Sequence, residues 1–437
     1  MKNVNPQGTD EEMLDLLLRE TFGYFLHEVN EHTGLIADTT QSNAPASIAA
    51  VGMGLSCYVT GVEHQLMTRK EAVKRTLKVL KFFLKSHQGP EPDATGYKGF
   101  YYHFLDMQTG KRALESELST IDTAILFAGI FTAQNYFTGD NKDERAIREI
   151  ADELYARIDW QWALNGKETI THGWKPESGF LKHSWDKGYS EAHLIYILLL
   201  GSPTFPIDPK GYKKWISTFN WEKHYDIEYI HAGPLFIHQM SQIWIDFKGI
   251  SKANRKLGID YFVNSCRATR IQQLYAVENP SEFAHYGRSC WGFTASDGPG
   301  YSRHTIKGKE INFYGYIARG IPLDPDDGTI SPWAVVASLP FEPAIVLSTV
   351  RYAIETLDLK KNARYGFEAS FNPTFPEKKR HPLGWISEWQ FAINEGPVIL
   401  MIENYNTGLI WNLMKKSPHI INGLRRAGFT GGWLNEA

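Results

Sequence analysis

The chain has 437 residues, 43% hydrophobic and 22% charged, which is typical of a globular protein and argues against disorder. Its 46 Lys and Arg balance 49 Asp and Glu to a net charge of −3, so no basic excess points to nucleic acid or an anionic membrane. The three cysteines are too few for a disulfide framework or a zinc site. The most apolar stretch, 195–200, is too short for a membrane span.

Amphipathic helices are predicted at intervals along the chain. Thr9 with Glu12, and Thr68 with Glu71, have the spacing of a capping box before a run of apolar residues. Apolar residues three and four apart over 147–158 predict a further helix with one polar face.

Helices of a second kind are apolar nearly all round, which predicts burial on every side. They are Ser47–Gly61, Ile121–Gly139, Ser190–Gly201, Trp333–Tyr352 and Glu395–Leu413. Half-exposed helices alternating with buried ones indicate two concentric rings, so we expect an all-α (α/α)6 toroid. A helical solenoid is the alternative, but no clean repeat of about 35–45 residues is found. No linker separates two halves, and one domain over 1–437 is expected.

Two short segments favour β-hairpins. Gly99–Leu105 precedes an Asp106–Gly110 turn, and Ile170–Trp185 surrounds Pro176–Gly179. Because each precedes a buried helix, we expect both hairpins at the same rim, where the active site would lie.

Two acids stand at the starts of buried helices. Asp122 could simply stabilise a helix N-terminus, and Glu191 could be a capping acid behind Ser190. A carboxyl in apolar surroundings has a raised pKa, however, which suits Glu191 to act as a general acid. The string 188–192 also mimics a serine-hydrolase elbow, but Ala192 replaces the last glycine and no buried strand precedes it.

Aromatic residues make up 13% of the chain, including thirteen Trp. Flat apolar rings serve as platforms for sugars, although core packing is the commoner role of a single Trp. Trp185 and Tyr189 lie beside Glu191, and Trp291 and Tyr301 bound a glycine-rich loop. All four are candidate sugar-binding residues.

Further acids are candidates for substrate contacts. Asp297 lies in the loop 291–301 and could alternatively belong to an ordinary Asp-Gly turn. Asn394 and Glu395 begin the last buried helix, and Glu403 lies within it, where a buried acid must be paired or functional.

Signals for metals and cofactors are weak. Asp324–Gly328 resembles the opening of a calcium loop, but Val335 occupies the position that requires Glu, so a turn is favoured. His224, Asp226, Glu228 and His231 match no zinc spacing. No glycine-rich loop follows a strand, so we expect no metal, nucleotide or other cofactor.

Taken together, several strings resemble the bacterial glucoamylase-like family, which includes endo- and exo-acting β-1,2-glucanases. The matching strings span about 115–411: Glu117–Thr123, Gly188–Ala192, Trp244–Gly249, Trp291–Gly298, Ser338–Phe341 and Met401–Tyr405. A weaker match extends over nearly the whole chain.

The resemblance implies an (α/α)6 toroid and inverting hydrolysis of a β-1,2-linked glucan, with a sugar chain as binding partner. It also implies a periplasmic or secreted location, although the N-terminal segment 1–13 has no apolar signal core. By its matching string Glu191 resembles the family's acid, and Asp122 a second essential carboxylate. One departure is clear: the family usually has Asp-Gln-Gly-Pro where this chain has Asn394-Glu395-Gly-Pro.

Two alternatives remain open from the sequence. One is an α-glucan hydrolase or a transglycosylase on the same fold. The other is a non-catalytic carbohydrate-binding protein, in which replacing Glu191 would change nothing measurable.

Overall fold

The structure, a computed structural model, describes residues 8–252, 260–376 and 383–437. Helices dominate it: α1 (Asp10–His27), α2 (Ile48–Glu63), α3 (Arg69–Lys85), α4 (Thr120–Tyr136), α5 (Lys142–Ala156), α6 (His193–Gly201), α7 (Lys210–Ile216), α8 (Leu235–Gln239), α9 (Tyr261–Glu278), α10 (Pro332–Val336), α11 (Pro343–Glu355), α12 (Ala392–Asn406), α13 (Leu409–Met414) and α14 (Pro418–Ala427).

The strands are short: β1 (Ala46–Ser47), β2 (Gly96–Tyr97), β3 (Phe100–Tyr101), β4 (Phe104–Leu105), β5 (Leu118–Ser119), β6 (Gly173–Lys175), β7 (Gly179–Phe180), β8 (Trp221–His224), β9 (Ile227–Ile230), β10 (Ser251–Lys252), β11 (Ala295–Ser296), β12 (Ser302–Ile306), β13 (Lys309–Phe313), β14 (Ile317–Ala318), β15 (Phe371–Asn372), β16 (Trp385–Ile386) and β17 (Phe429–Thr430). Among the described residues, only β5, β6 and β7 form a sheet of three strands, and every other sheet has two.

The packing of the chain divides it into two compact units, each assembled from three segments. The first unit comprises Met1–Tyr24, Trp221–Met240 and Phe262–Asn406. The second comprises Phe25–Asn220, Ser241–Tyr261 and Thr407–Ala437. That the whole chain folds as one domain stays a prediction.

The helix starts predicted at Thr9 and Thr68 are confirmed. At the N-terminus of α1, the Thr9 amide donates to Glu12 at 2.9 Å and the Glu12 amide donates to the Thr9 hydroxyl at 3.2 Å. The Thr68 hydroxyl accepts from the Glu71 amide at 3.2 Å before α3. Each of these bonds satisfies an amide that the helix itself leaves unpaired.

Small residues let buried helices of the second unit approach closely. Where α2 crosses α4, a Cβ added to Gly129 would lie 2.0 Å from the carbonyl oxygen of Gly52, and one added to Gly52 would meet the Ile125 carbonyl at 2.3 Å. Gly201 of α6 and Gly423 of α14 meet the opposite backbone in the same way, each with 2.0 Å to a carbonyl oxygen. Glycine is therefore required in these apolar helices by packing, despite its poor helix propensity.

Gly129→Ala is expected to lower the free energy of unfolding by about 1–3 kcal/mol, because the added methyl group overlaps backbone that cannot turn away. This cost exceeds the gain of up to about 1 kcal/mol in helix propensity. Denaturant unfolding measures it, with Glu149→Ala on the exposed face of α5 as the control. A Gly129→Ala protein as stable as that control would contradict the close contact.

Two predicted helices are divided in the structure. The segment Trp333–Tyr352 forms α10 and α11, because Glu342 precedes Pro343 and takes a non-helical conformation (φ −140°, ψ 67°). The segment Glu395–Leu413 forms α12 and α13, since Gly408 adopts a left-handed conformation (φ 69°) between them. Helix α6 begins at His193 and not at Ser190, so it is shorter than predicted.

Both predicted hairpins are present, although the first is short. Strands β6 and β7 enclose the turn 176–178. Across the Asp106–Gly110 turn, Leu105 forms an antiparallel bridge with Arg112 and the Ala113 amide donates to the Phe104 carbonyl. In addition β4 pairs with β1, and β3 pairs with β2. Leu114 and Glu115 have positive φ angles, which prevent the segment after the turn from continuing as a strand.

Among the described residues, no helix combines the length and apolar character needed to cross a membrane.

Candidate active site

The three-stranded sheet positions Asp122. Strand β5 runs directly into α4, and its last residue, Ser119, caps the helix by accepting from the Asp122 amide at 3.1 Å. The Ser119 hydroxyl also donates to Asp122 Oδ2 at 2.5 Å. Asp122 is buried in the first turn, so its carboxylate does interact with a helix N-terminus. The Asp122 carboxylate also lies 3.6 Å from His103 Nδ1.

His103 lies between several acids of the second unit. Its Nδ1 atom is 3.1 Å from Glu117 Oε1 and 3.6 Å from Asp122 Oδ2. Burial alone would lower the pKa of His103, but the charge of Asp122, the hydrogen bond to Glu117 and the charges of Glu117 and Asp38 raise it to about 9. The ring is therefore an imidazolium at neutral pH, which stabilises the charged forms of the carboxyls around it.

Asp38 is a member of this cluster that the sequence analysis missed. Burial raises the pKa of Asp38 to about 6, with His103 lowering it and Asp122 raising it. Its position in the sequence could have indicated Asp38. A short polar loop separates Asp38 from buried α2, and Asp122 similarly stands at the start of buried α4.

His103→Gln is expected to lower the free energy of unfolding by about 2 kcal/mol at pH 6, since the acids lose their cation. The folded pKa of about 9 exceeds the ordinary value of 6.5, so the stabilisation is complete below pH 6.5 and disappears as the pH rises through 9. Denaturant unfolding at pH 6 and pH 10 measures this, with the exposed His32→Gln as the control. A pH-independent loss would contradict the charge account.

Glu191 stands in the turn before α6 and is not the N-cap residue of that helix. The Glu191 carbonyl accepts from the Ser241 hydroxyl at 2.6 Å, and the N-cap position belongs to Ala192. Burial raises the pKa of the half-buried Glu191 to about 7, its own amide lowers it, and the charge of Asp122 raises it further. Glu191 is therefore close enough to Asp122 to sense its charge, and it holds its proton near neutral pH.

The two aromatic candidates beside Glu191 have different surroundings. Trp185 is half-buried, stacks on His172 at 4.0 Å between ring centroids, and donates to the hydroxyl of Thr120, the first residue of α4. Its indole thus lies at the helix start that carries Asp122. Tyr189 is buried and stacks on Tyr261 within an aromatic core.

The remaining candidates belong to the first unit. Asp297 is half-buried and accepts from the Ser387 hydroxyl at 2.9 Å through Oδ2, while Oδ1 accepts from the Gly298 amide, as in an Asp-Gly turn. Tyr301 is 77% exposed. Trp291 is fully buried and donates to the Thr349 hydroxyl, so it offers no ring face to a sugar and we assign it to the core.

Helix α12 buries Asn394, Glu395 and Glu403. Burial raises the pKa of Glu395 well above its ordinary value, and the charge of Glu368 adds to this effect. The pKa of Glu368 is itself raised to about 7 by burial. Burial therefore favours the protonated form of Glu395, which can donate a hydrogen bond, whereas a general base must be ionised.

Two acids of Asp324–Gly328 are engaged by protein groups. Asp327 pairs with Arg319 at 2.7 Å, and Asp326 accepts from the hydroxyls of Tyr275 and Tyr286 at 3.0 and 2.6 Å. The Gly328 amide also donates to Asp326. The segment is thus a turn held by side chains, as the sequence favoured.

Comparison with known proteins identifies the family of the chain. Residues 182–418 match the model of the Glycoamylase family, described as "Putative glucoamylase". The chain is 32% identical to a solved structure described as a putative glucoamylase from Bacteroides uniformis, with 98% of this chain and 100% of that chain covered and a TM-score of 0.87.

Two relatives come from Parabacteroides distasonis. An exo β-1,2-glucooligosaccharide sophorohydrolase (non-reducing end) is 27% identical over 447 residues, covering 96% of this chain and 58% of that protein. The structure of a β-1,2-glucanase is 26% identical, with 96% of this chain and 60% of that chain covered and a TM-score of 0.83. The chain therefore spans less than two thirds of the length of these two relatives.

These likenesses confirm the expected fold class, an all-α (α/α)6 toroid with short hairpins. The family model covers more than half of the chain, and the structure at 32% identity covers nearly all of it. The chain belongs to the glucoamylase-like family.

Proposed function

We propose that the protein is a glycoside hydrolase that cleaves β-1,2-linked glucan, or its oligosaccharides, with inversion. One observation carries the proposal: the Glu191 carboxyl has a pKa of about 7 and lies within reach of the charge of Asp122. An acid with a raised pKa and a second carboxyl group within electrostatic range are the two groups that glycosidic cleavage requires. The names of the two relatives from Parabacteroides distasonis support the choice of β-1,2-glucan as substrate.

In the proposed reaction, Glu191 gives its proton to the glycosidic oxygen as the bond from that oxygen to C1 breaks. A water molecule attacks C1 from the opposite face and loses its proton to a carboxylate. Asp122, held by Ser119 and facing His103, orients the substrate or this water. Trp185, half-buried at the start of the helix that carries Asp122, is the candidate for stacking on glucose.

The departure at Asn394 and Glu395 affects the assignment of the base. Asn394 cannot take a proton, and burial raises the pKa of Glu395, which disfavours the ionised form that a base needs. We therefore place the base function on a carboxylate that faces His103, either Asp122 or Asp38. Asp297, Tyr301 and the polar groups of α12 stay candidates for binding the sugar chain.

A substrate panel tests the proposal. Purified chain is incubated with linear β-1,2-glucan and, separately, with amylose, and the products are separated by chromatography. The expected result is short sophorooligosaccharides from β-1,2-glucan and no product from amylose. Cleavage of amylose, products longer than the substrate, or binding without cleavage would contradict the proposal in favour of an α-glucan hydrolase, a transglycosylase or a binding protein.

A further inference from the structure

The hairpin of β8 and β9 places three potential metal ligands on one face. Side chains alternate between the two faces of a strand, so Glu222 and His224 point to the same side. Glu222 pairs with Tyr229 across the hairpin, which brings His231, two residues later, to that side as well. Asp226 and Glu228 are exposed, unlike the half-buried Glu222, His224 and His231.

The three side chains converge on a single point. Glu222 Oε2 is 2.8 Å from His224 Nε2 and 3.4 Å from His231 Nδ1. One oxygen and two nitrogens thus lie within 4.8 Å of one another. Their exposed fractions are only 19%, 24% and 16%, so the group is partly shielded from solvent yet open to a small ion.

We propose that Glu222, His224 and His231 bind a divalent transition-metal ion of the zinc type. Two imidazoles and one carboxylate are a ligand set that zinc uses, whereas magnesium and calcium prefer oxygen alone. Bonds of about 2.0–2.1 Å in a tetrahedron separate the ligand atoms by about 3.3 Å. The observed distances of 2.8 and 3.4 Å lie on either side of this value, so small side-chain rotations would admit the ion. The fourth position is left for water.

Tyr229 is the neighbour that such an ion would displace. Its hydroxyl lies 2.8 Å from His231 Nδ1, so this nitrogen now faces both a hydroxyl and a carboxylate. A metal ion would be coordinated by the lone pair of His231 Nδ1, and the Tyr229 hydroxyl would rotate away from this nitrogen. The ion would then tie β8 to the chain that leaves β9 toward α8, a structural role that does not depend on glucan cleavage.

The test is titration of the chelator-treated full chain with Zn²⁺ by calorimetry and with Co²⁺ by visible absorption. We expect one equivalent to bind and Co²⁺ to show the intense visible band of a tetrahedral site. Glu222→Gln and His224→Gln should each lower the affinity at least about 100-fold. His87→Gln, in an exposed His–Glu pair with a 3.0 Å contact, is the matched control and should bind as the wild type does.

Unchanged far-UV circular dichroism of the metal-free variants separates loss of a ligand from loss of the fold. If Zn²⁺ fails to saturate at one equivalent, or binds both ligand variants as well as the His87→Gln control, the ion is adventitious only and the proposal is overturned.

Discussion

Glu191→Gln is expected to lower kcat on β-1,2-glucan at least about 100-fold, the lower end of the usual contribution of a general acid. The amide keeps the shape of the side chain but has no proton acidic enough for the leaving oxygen. Since substrate contacts are retained, KM should change far less than kcat. Initial rates over a range of glucan concentrations measure both constants.

The same group should set the alkaline limit of wild-type activity. Glu191 must be protonated to act, and its pKa of about 7 keeps it so up to near-neutral pH. Activity should therefore fall as the pH rises through about 7. An ordinary glutamate, with a pKa of 4.5, would have lost its proton well below that point.

Two controls accompany this variant. Glu177 lies on the turn between β6 and β7, where its half-exposed carboxylate pairs with the buried side chain of Arg112, and Glu177→Gln should leave the rate unchanged. Stability checks the fold: because the pKa of Glu191 is raised, its contribution to stability is complete below pH 4.5 and is lost as the pH rises through 7. Glu191→Gln should thus be at least as stable as the wild type at pH 8. A folded variant with full activity would refute the assignment of the acid.

Asp327→Asn is expected to lower the free energy of unfolding by about 3–5 kcal/mol, the usual cost of removing one partner of a buried ion pair. Arg319 and Asp327 are 1% and 0% exposed and are joined by two bonds of 2.7 and 2.9 Å. The amides of Tyr314 and Thr329 also donate to Asp327. An asparagine would present an NH₂ group to some of these donors and leave the guanidinium buried without a counter-charge.

Denaturant unfolding measures this loss, and a nearby surface pair gives the comparison. Arg303 and Glu310 on β12 and β13 are 3.7 Å apart and mostly exposed, so Glu310→Gln should cost no more than about 1 kcal/mol. Equal effects of the two substitutions would show that the buried pair does not hold this turn.

Much of the helical architecture follows from local patterns. The Thr9–Glu12 capping box and the apolar runs of α2 and α4 predicted their helices, because capping and burial depend on residues close in sequence. Helices predicted through Pro343 and Gly408 were too long, since a single residue with a restricted or left-handed conformation ends a helix that apolar periodicity would continue.

The candidate site was predictable only in part. Asp122 and Glu191 stood out because they are acids at the starts of apolar helices, and the structure brings them within range of each other's charge. His103 and Asp38 did not, because their importance depends on contacts between segments distant in the chain. The same reason hid the partner of Asp327 and the convergence of His224 and His231 on Glu222.

The most direct test of the account is the anomeric form of the first product from β-1,2-glucan, followed by proton NMR from the moment the enzyme is added. Inversion at a β-linkage releases the α-anomer first, which then mutarotates, and this is the result we predict. Initial release of the β-anomer, or no product from folded protein, would contradict inverting hydrolysis of this glucan.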